Sequence, residues 1–441
     1  MIIFRKPFIS KNGFLNHIKS DIMMFEKLVK GEIEVTVAII GLGYVGISLA
    51  AIFSKSHDVI GYDIDEQKIQ EYQCGIDRTN EVGEQVNQLG ILFTNDLSKI
   101  KRADIICITV PTPTVNGMID DQYVRSASIQ VAPYIKQGAI VVYESTVYPY
   151  FTREICLPLL EEYSGKKVGV DFSIGYSPER VNPGDPVNTI DKITKIVAGY
   201  DEKTTKRLVE FYGSVIKSIY PVQSLEIAEA CKVLENSQRD LNISLINQFA
   251  MLFEDIDTHA VMEAMNTKWN ALGFTSGLVG GHCIAEDPHY LIYKSRSRGM
   301  KFTLLEEARQ INDSVPRHIV TKIMELLNTK KKALSNSTIV IKGVTFKENC
   351  PDVRNSKAFD IISLLKAQGA NLIVVNPIAD QQDIKKYYDL EVTPFYHGAS
   401  DAIIYAVAHD EFKKDRFNLD QIIIDIKGMW RHLELESYYS L

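Results

Sequence analysis

The chain has 441 residues, of which 45% are hydrophobic and 24% charged, and its formal net charge is −7. The length predicts more than one domain, and the composition is that of a soluble globular protein, which excludes a mainly disordered chain. Acidic and basic residues are mixed along the sequence, so the charge pattern indicates no nucleic-acid partner. The six cysteines are widely spaced and form no CxxC pair, which indicates neither a metal site nor a disulfide framework and predicts a cytoplasmic protein.

An uncharged stretch at residues 35–54 would be flagged as a membrane span by hydropathy alone. Gly41, Gly43 and Gly46 divide this stretch into a strand, a turn and a helix that is too short to cross a bilayer. We therefore expect no membrane segment. Residues 1–34, which lack the apolar core of a signal peptide, are expected to form an N-terminal extension.

From Val35 onward, short apolar runs alternate with helix-like stretches, which is the rhythm of a doubly wound parallel sheet. More than 30 residues from Ser224 contain neither proline nor glycine and predict one long helix. The strand rhythm returns after Lys332. These patterns predict an α/β fold with two Rossmann-like, doubly wound domains joined by a helical central domain. The predicted segments are the extension 1–34, a dinucleotide-binding domain 35–215, a central domain 216–328 and a C-terminal domain 329–441.

A glycine-rich turn, Gly41-Leu42-Gly43-Tyr44-Val45-Gly46, follows the first predicted strand and opens a helix, and Asp63 ends the next strand about 20 residues later. Such glycines permit a tight turn and close approach of a pyrophosphate, which the helix N-terminus attracts. An acidic residue at the position of Asp63 accepts hydrogen bonds from ribose hydroxyls, which favours NAD over NADP. The alternative, a turn required only by helix packing, leaves this acid unexplained.

Cys283 lies in the glycine-rich segment Gly277–Cys283, where a thiol is accessible to a ligand, and Asp287 follows four residues later. If the segment is helical there, Asp287 shares a face with the thiol and is placed to act as a base or to position water. Lys232 and Asn236 are also four residues apart, on one face of the long predicted helix, where an amine and an amide can stabilise an alkoxide. By spacing alone, a buried cysteine and a solvated helix face are the commoner interpretations.

Several loops follow apolar strands and therefore lie at the edge of the sheet where ligands bind. These loops are Pro111–Pro113, Glu144–Val147 and Ser177–Gly184, and in the last domain Lys347 and Arg354 follow a strand where basic groups can bind a diphosphate. His282 and His289 are more often hydrogen-bonded scaffold than metal ligands, and we assign them no catalytic role.

Nine segments, taken in order, resemble the UDP-glucose/GDP-mannose dehydrogenase family: GLGYVG, VPTP, ESTV, SPERVNPGD, KVLEN, TKWN, GLVGGHC, GVTFKENCPDVRNS and AVAHDEF. The stretch from TKWN to GLVGGHC is most similar to the branch that oxidises UDP-N-acetylhexosamines. The resemblance implies an NAD-dependent, four-electron oxidation of the sugar C6 hydroxyl to a uronic acid, for surface polysaccharide biosynthesis. It also implies a substrate site between the two α/β domains and a homodimer formed through the long helix.

Site residues follow from the same resemblance. Cys283 becomes the nucleophile that forms a thiohemiacetal and then a thioester. Lys232 and Asn236 stabilise the C6 oxyanion, Asp287 and Thr146 bind or activate water, and Glu179 assists thioester hydrolysis, although the identity of the base stays open. We also expect Lys232 to be partly desolvated. The implied cofactor-binding residues are Gly41, Gly43, Tyr44, Val45, Gly46, Asp63, Lys68, Pro111, Thr112 and Thr146. The implied substrate-binding residues are Glu179, Arg180, Val181, Asn182, Lys232, Asn236, Gly280, Lys347 and Arg354.

Two departures from the family pattern bear on the substrate. The second glutamate of the UDP-glucose branch is absent from the loop after Glu179, which disfavours UDP-glucose. Glu286 places an extra carboxylate beside Asp287, with an effect on hydrolysis, on sugar choice or only on the surface. UDP-GlcNAc and UDP-GalNAc are the leading substrates, and UDP-ManNAc stays open. The alternatives are a UDP-glucose or GDP-mannose 6-dehydrogenase, and an inactive homologue that binds nucleotide sugars.

Overall fold

The computed structural model describes residues 35–79, 81–115, 117–181, 189–418, 421–433 and 435–441. The chain divides into two compact units. Of the described residues, the first unit contains those up to Thr112 together with those of Asp120–Lys232, and the second contains those of Pro113–Ile119 together with those of Val233–Leu441. The predicted extension 1–34 and the predicted substrate contact Asn182 lie outside the described residues, and the predicted domain boundaries stay predictions.

Strands in the first half of the chain are short and apolar. In chain order they are β1 (Thr36–Ile40), β2 (Asp58–Tyr62), β3 (Leu92–Thr94), β4 (Ile105–Ile108), β5 (Thr114–Val115), β6 (Met118–Ile119), β7 (Ile140–Tyr143), β8 (Ser173–Tyr176), β9 (Lys195–Gly199) and β10 (Ile219–Pro221). Among the described residues, eight of them form the sheet of the first unit in the order β10-β9-β8-β7-β4-β1-β2-β3. Neighbours pair in parallel except β8 and β9, which are antiparallel.

The central strands β4 and β7 are buried along their whole length because helices cover both faces of a parallel sheet. The helices of this unit are α1 (Tyr44–Phe53), α2 (Glu66–Gln73), α3 (Gln122–Val131), α4 (Leu157–Ser164) and α5 (Glu202–Gly213). Asp65 and Asp201 cap the N-termini of α2 and α5 by accepting hydrogen bonds from the backbone N–H groups of Lys68 and Thr204. A π-helical turn, Thr152–Cys156, precedes α4, and short 3₁₀ turns lie at Val86–Gln88, Leu97–Arg102 and Ala132–Tyr134.

The long predicted helix is present as α6 (Leu225–Leu252), with 28 residues. It ends at Leu252, and Asp257 caps a new helix, α7 (Thr258–Asn266). The remaining helices are α8 (Asp287–Ser297), α9 (Thr303–Thr329), α10 (Ala358–Ala367) and α11 (Gln381–Tyr388), with 3₁₀ turns at Leu334–Asn336 and Asp410–Lys414.

The second unit contains a parallel sheet whose strands carry the predicted C-terminal rhythm. They are β11 (Thr338–Lys342), β12 (Asn371–Val375), β13 (Ala402–Tyr405), β14 (Ile422–Asp425) and β15 (Tyr438–Ser440), in the order β12-β11-β13-β14-β15. The apolar faces of α9, α10 and the central strands form one core. The short antiparallel hairpin of β5 and β6 also belongs to this unit. The predicted α/β class with parallel sheets is confirmed.

Candidate active site

The glycine turn between β1 and α1 contains two glycines that the fold itself requires. Gly41 has φ +95°, and a Cβ added at Gly46 would lie 1.9 Å from the backbone oxygen of Gly41. Gly43 is different, because a Cβ added there meets no described atom within 4 Å and its φ of −79° suits any residue. Packing within the described chain therefore does not explain the glycine at position 43. Close approach of a ligand to the backbone explains it.

Asp63 directly follows β2 and is buried, with 6% of its surface exposed. One carboxylate oxygen accepts hydrogen bonds from the Leu42 N–H and from Lys68 Nζ, each at 2.8 Å, and the other accepts one from the Asp65 N–H at 3.0 Å. The predicted cofactor residue Lys68 therefore contacts Asp63. The aspartate fixes the glycine turn and presents negative charge beside it, which is the arrangement expected for NAD rather than NADP.

Thr146 and Lys232, which are far apart in sequence, meet in the first unit. Thr146 follows β7, and Lys232 Nζ donates a hydrogen bond to its hydroxyl. Lys232 is half-buried, and its partial desolvation in the closed site stays a prediction. The preceding Ser145 hydroxyl donates to the backbone oxygen of Val110 at 2.6 Å, so the loops after β4 and β7 are joined just before Pro111 and Thr112.

Glu179 belongs to a buried charge cluster that sequence reasoning missed. Lys195 Nζ lies 2.9 Å from Glu179 Oε2 and 2.5 Å from Glu144 Oε2, and the Tyr212 hydroxyl donates to Glu144. The N–H groups of Arg180 and Val181 donate to Glu179 Oε1 at 2.6 and 2.7 Å. Burial opposes ionisation of Glu179, but Lys195 and these N–H groups outweigh it and lower the pKa of the carboxyl.

The loop that carries Glu179, Arg180 and Val181 is thereby tied to β9 through a lysine that is 1% exposed. One sequence signal could have revealed this buried charge cluster. Lys195 begins the otherwise apolar strand Lys195–Gly199, and a charge that is buried with its strand requires a charged partner.

Glu229 is a second buried carboxylate that the motifs do not reveal. It lies on α6, three residues before Lys232, and accepts hydrogen bonds from the N–H groups of Tyr150 at 2.6 Å and Thr152 at 2.8 Å. Burial raises the pKa of Glu229 to about 7, against the effect of these hydrogen bonds. The contact fixes the chain that follows Thr146 against the helix that carries Lys232.

In the second unit, the segment from Cys283 to Asp287 forms a helical turn, which is the condition for placing the two residues on one face. The Asp287 N–H donates to the backbone oxygen of Cys283 at 2.9 Å, and α8 begins at Asp287. Asn236 Nδ2 donates to Asp287 Oδ2 at 2.6 Å. Asp287 is 1% exposed, whereas Cys283 is half-buried. The amide, the carboxylate and the thiol-bearing turn are therefore held as one group.

The segment before Cys283 is fixed by a buried polar network between α6 and α9. Asn247 donates to the Gly277 backbone oxygen at 3.0 Å and to Asn312 at 2.9 Å, and it accepts from the Gly277 N–H at 2.8 Å. Asn312 and Arg309 in turn donate to Asp240 at 2.7 and 2.6 Å. The network holds the start of the glycine-rich loop.

The predicted substrate contacts of the C-terminal part lie in the loop after β11. Arg354 forms a bidentate ion pair with Asp352, with Nη2 2.6 Å from Oδ2, and is about one-third exposed. Lys347 Nζ lies 5.5 Å from the ring centre of Phe346. A Cβ added at Gly280 would lie 2.4 Å from the backbone oxygen of Asn355, so packing alone requires glycine there.

Within the described ranges, no group of three or more His, Cys, Asp or Glu residues is arranged to hold a metal ion. The six cysteines form no disulfide. A search of the helices in the described part of the chain finds none with the length and apolarity needed to span a bilayer.

Comparison with known proteins assigns the family. Models of the UDP-glucose/GDP-mannose dehydrogenase family match its NAD binding domain at residues 35–221, its central domain at 226–314 and its UDP binding domain at 340–432. Protein CapL of Staphylococcus aureus is 42% identical over 90% of this chain and 97% of its own length. The UDP-N-acetyl-D-glucosamine 6-dehydrogenase of Pseudomonas aeruginosa is 40% identical over 86% of this chain and 92% of its own.

Among solved structures, the UDP-D-ManNAc dehydrogenase of Pyrococcus horikoshii superposes with a TM-score of 0.83 at 27% identity, covering 92% of this chain and 99% of that one. The predicted NAD-binding domain and the predicted family are both confirmed. The chain belongs to the UDP-glucose/GDP-mannose dehydrogenase family.

Proposed function

We propose that the protein oxidises the C6 hydroxyl of a UDP-N-acetylhexosamine to the carboxylate, with UDP-GlcNAc as the leading substrate. Two relatives that are each 40% identical over 86% of this chain bear the name UDP-N-acetyl-D-glucosamine 6-dehydrogenase, whereas a relative named UDP-N-acetyl-D-mannosamine dehydrogenase is 31% identical. The observation that carries the proposal is the coupling of the Cys283 turn to Asp287 and Asn236. A thiol, a carboxylate and an amide held together suit an oxidation that passes through a covalent intermediate.

NAD⁺, when bound at the glycine turn, accepts a hydride from C6 in each of two oxidations. Overall, one alcohol, two NAD⁺ and one water give one carboxylate, two NADH and three protons. The first oxidation leaves an aldehyde. We assign Lys232, hydrogen-bonded to Thr146, and Asn236 to the stabilisation of the alkoxide from which this hydride departs.

The Cys283 thiol then adds to the aldehyde carbon. A C–S bond forms as the C=O π bond opens, and the thiol proton passes to the former aldehyde oxygen, which gives a thiohemiacetal that keeps the sugar bound until the second hydride leaves. The resulting thioester is cleaved by water, which breaks the C–S bond, returns the thiol and releases the carboxylate. We assign activation of this water to Asp287 rather than to Glu179. Lys195 and two backbone N–H groups already occupy both oxygens of Glu179, so its role is to hold the loop. Because Cys283 must be a thiol, we also propose that the reaction takes place in the reducing cytoplasm.

The test is to incubate the purified protein with NAD⁺ and, in parallel, with UDP-GlcNAc, UDP-GalNAc, UDP-ManNAc, UDP-glucose and GDP-mannose. We expect two NADH per sugar consumed with UDP-GlcNAc and much slower turnover with UDP-glucose. Preference for another UDP-N-acetylhexosamine would replace UDP-GlcNAc as the proposed substrate and keep the substrate class. Preference for UDP-glucose or GDP-mannose would overturn the substrate class. Binding of the nucleotide sugar, seen as thermal stabilisation without NADH formation, would identify an inactive homologue.

We further propose that the protein is a homodimer that pairs through α6. Leu234, Leu245 and Leu252 are 53%, 63% and 68% exposed. At 100° per residue, their positions lie within about 20° of one another around the helix axis, so they form one apolar stripe on α6. A stripe of this kind on a 28-residue helix can pack against the same stripe of a second copy, as in an isologous interface.

Replacing Leu245 by glutamate places a charge in the centre of this stripe and, in the dimer, opposite its own copy. We expect the dimer dissociation constant to rise by at least about 100-fold, because two desolvated like charges would face each other. Light scattering coupled to size exclusion would show a monomer. Val170→Glu, at a loop position that is 75% exposed, is the matched control and should leave the dimer intact. A wild-type monomer, or a Leu245→Glu dimer, would contradict the proposal.

A further inference from the structure

Glu286, the carboxylate that departs from the family pattern, has specific hydrogen-bond partners in the second unit. Oε2 accepts a hydrogen bond from the Thr114 N–H at 3.1 Å and another from the Thr114 hydroxyl. Oε1 accepts a hydrogen bond from Asn355 Nδ2 at 2.9 Å. All three donors are neutral, and they come from a hairpin and a loop that are far from Glu286 in sequence. Glu286 thus joins three segments of the chain.

Asn355 connects this carboxylate to the other end of the cysteine loop. Its Nδ2 also donates to the Gly281 backbone oxygen at 3.0 Å, and its own backbone oxygen accepts from the Gly281 N–H at 3.1 Å. Asn355 has φ +52°, a left-handed conformation that asparagine tolerates well. One amide therefore holds Gly281, two residues before Cys283, and Glu286, three residues after it.

Backbone hydrogen bonds within the segment Cys283–Asp287 also hold the Cys283 turn. The N–H groups of Glu286 and Asp287 both donate to the backbone oxygen of Cys283, at 3.2 and 2.9 Å. The β5–β6 hairpin packs on the next turn, because a Cβ added at Gly117 would lie 3.3 Å from the His289 ring. Thr114 and Gly117 thus secure the hairpin to two successive turns of the chain that carries the thiol.

We propose that Glu286 is a positioning residue for the nucleophile: its carboxylate ties the Cys283 turn to Thr114 and Asn355 and so fixes the direction of the thiol. This inference rests on the proposed role of Cys283 and answers the question that the sequence left open. Donors from the protein already engage both carboxylate oxygens, so Glu286 is not the base that activates water. Burial raises the pKa of Glu286, and the hydrogen bonds from Thr114 act in the opposite direction.

The first test needs no substrate. The rate at which iodoacetamide alkylates Cys283 is measured by peptide mass spectrometry in wild type and in Glu286→Ala, with the exposed Cys74 as the internal reference. Loosening of the turn is expected to change the Cys283 rate by about threefold or more, while the Cys74 rate stays the same. Equal Cys283 rates in a folded variant would overturn the proposal. Because this measurement does not involve a sugar, it stands even if no UDP-sugar is oxidised.

The second test uses turnover with the best sugar. Glu286→Ala is expected to lower kcat by about 10- to 100-fold with a much smaller change in KM for NAD⁺, because a displaced nucleophile slows chemistry more than cofactor binding. Glu286→Gln keeps the Thr114 contacts but turns an N–H₂ group towards the Asn355 donor, so an effect on kcat between those of wild type and Glu286→Ala is expected. This variant keeps the test valid if Glu286→Ala does not fold. A variant that alkylates normally yet accumulates the thioester would show that Glu286 is a base, which overturns the positioning role.

Thr114→Val tests the other side of the same contact, because it removes the hydroxyl that donates to Glu286 and keeps the backbone N–H donor. Its effect on kcat should be smaller than that of Glu286→Ala and in the same direction. The double variant Glu286→Ala/Thr114→Val should be no slower than Glu286→Ala alone, since both changes break the same contact. Fully additive losses would mean that Glu286 acts without the hairpin and would contradict the proposal.

Discussion

Replacing Cys283 by serine is expected to lower the rate of uronate formation by at least about 10³-fold, the size of loss seen when a covalent nucleophile is removed. The serine hydroxyl is a far weaker nucleophile than a thiolate at neutral pH, so the aldehyde is not captured and the second hydride has no thiohemiacetal to leave from. The measurement is NADH formed per sugar consumed, together with chromatographic quantification of the uronate.

Cys74→Ser is the matched control, because Cys74 is exposed and lies far from Cys283 in sequence, at the end of α2. This control should retain the wild-type stoichiometry and rate. Slow formation of one NADH per sugar by Cys283→Ser, with aldehyde as the product, would agree with the assigned role. Two NADH per sugar at the wild-type rate would remove Cys283 from the mechanism.

The sheet could be predicted from sequence because the residues of each strand form a recognisable local pattern. The sequences of β1, β4 and β7 are short runs rich in apolar and β-branched residues. Such a run is sufficient to indicate a strand that is buried on both faces of a parallel sheet. Strands β9 and β10 carry weaker signals, since β9 begins with a buried lysine and β10 is three residues long. The 27-residue helix α9 contains Pro316, so it lacks the proline-free run that indicates α6 in the sequence.

Apart from the glycine turn and Asp63, which a known motif connects, site residues could be predicted as pairs where helical spacing brings them together. The four-residue spacing between Cys283 and Asp287 correctly indicated a shared turn. Contacts between distant segments, such as that of Lys195 with Glu144, depend on tertiary structure, which short motifs do not encode. The Glu286 contacts with Thr114 and Asn355 are of the same kind, which is why the sequence raised the question of its role without answering it.

Gly43 and Gly46, both in the glycine-rich segment after β1, should differ in their effect on stability when the same methyl group is added. Gly46→Ala is expected to destabilise the protein by about 3 kcal/mol, because its Cβ would lie 1.9 Å from the Gly41 backbone oxygen, which no side-chain rotation can relieve. The apparent Tm, measured without ligand, should fall by roughly 10 °C. The distortion of the turn should also abolish binding of NAD⁺.

Gly43→Ala is expected to leave the free energy of unfolding within about 0.5 kcal/mol of wild type, because no described atom lies within 4 Å of the added Cβ and the backbone is in an ordinary conformation. The Kd for NAD⁺, measured by calorimetry, should nevertheless rise at least about tenfold, because the methyl group occupies the space through which a pyrophosphate approaches the N-terminus of α1. The pair separates folding from ligand binding at positions three residues apart. If Gly43→Ala bound NAD⁺ as tightly as wild type, the open space at Gly43 would not be the approach of the pyrophosphate, and the cofactor's path along the turn would need to be reassigned.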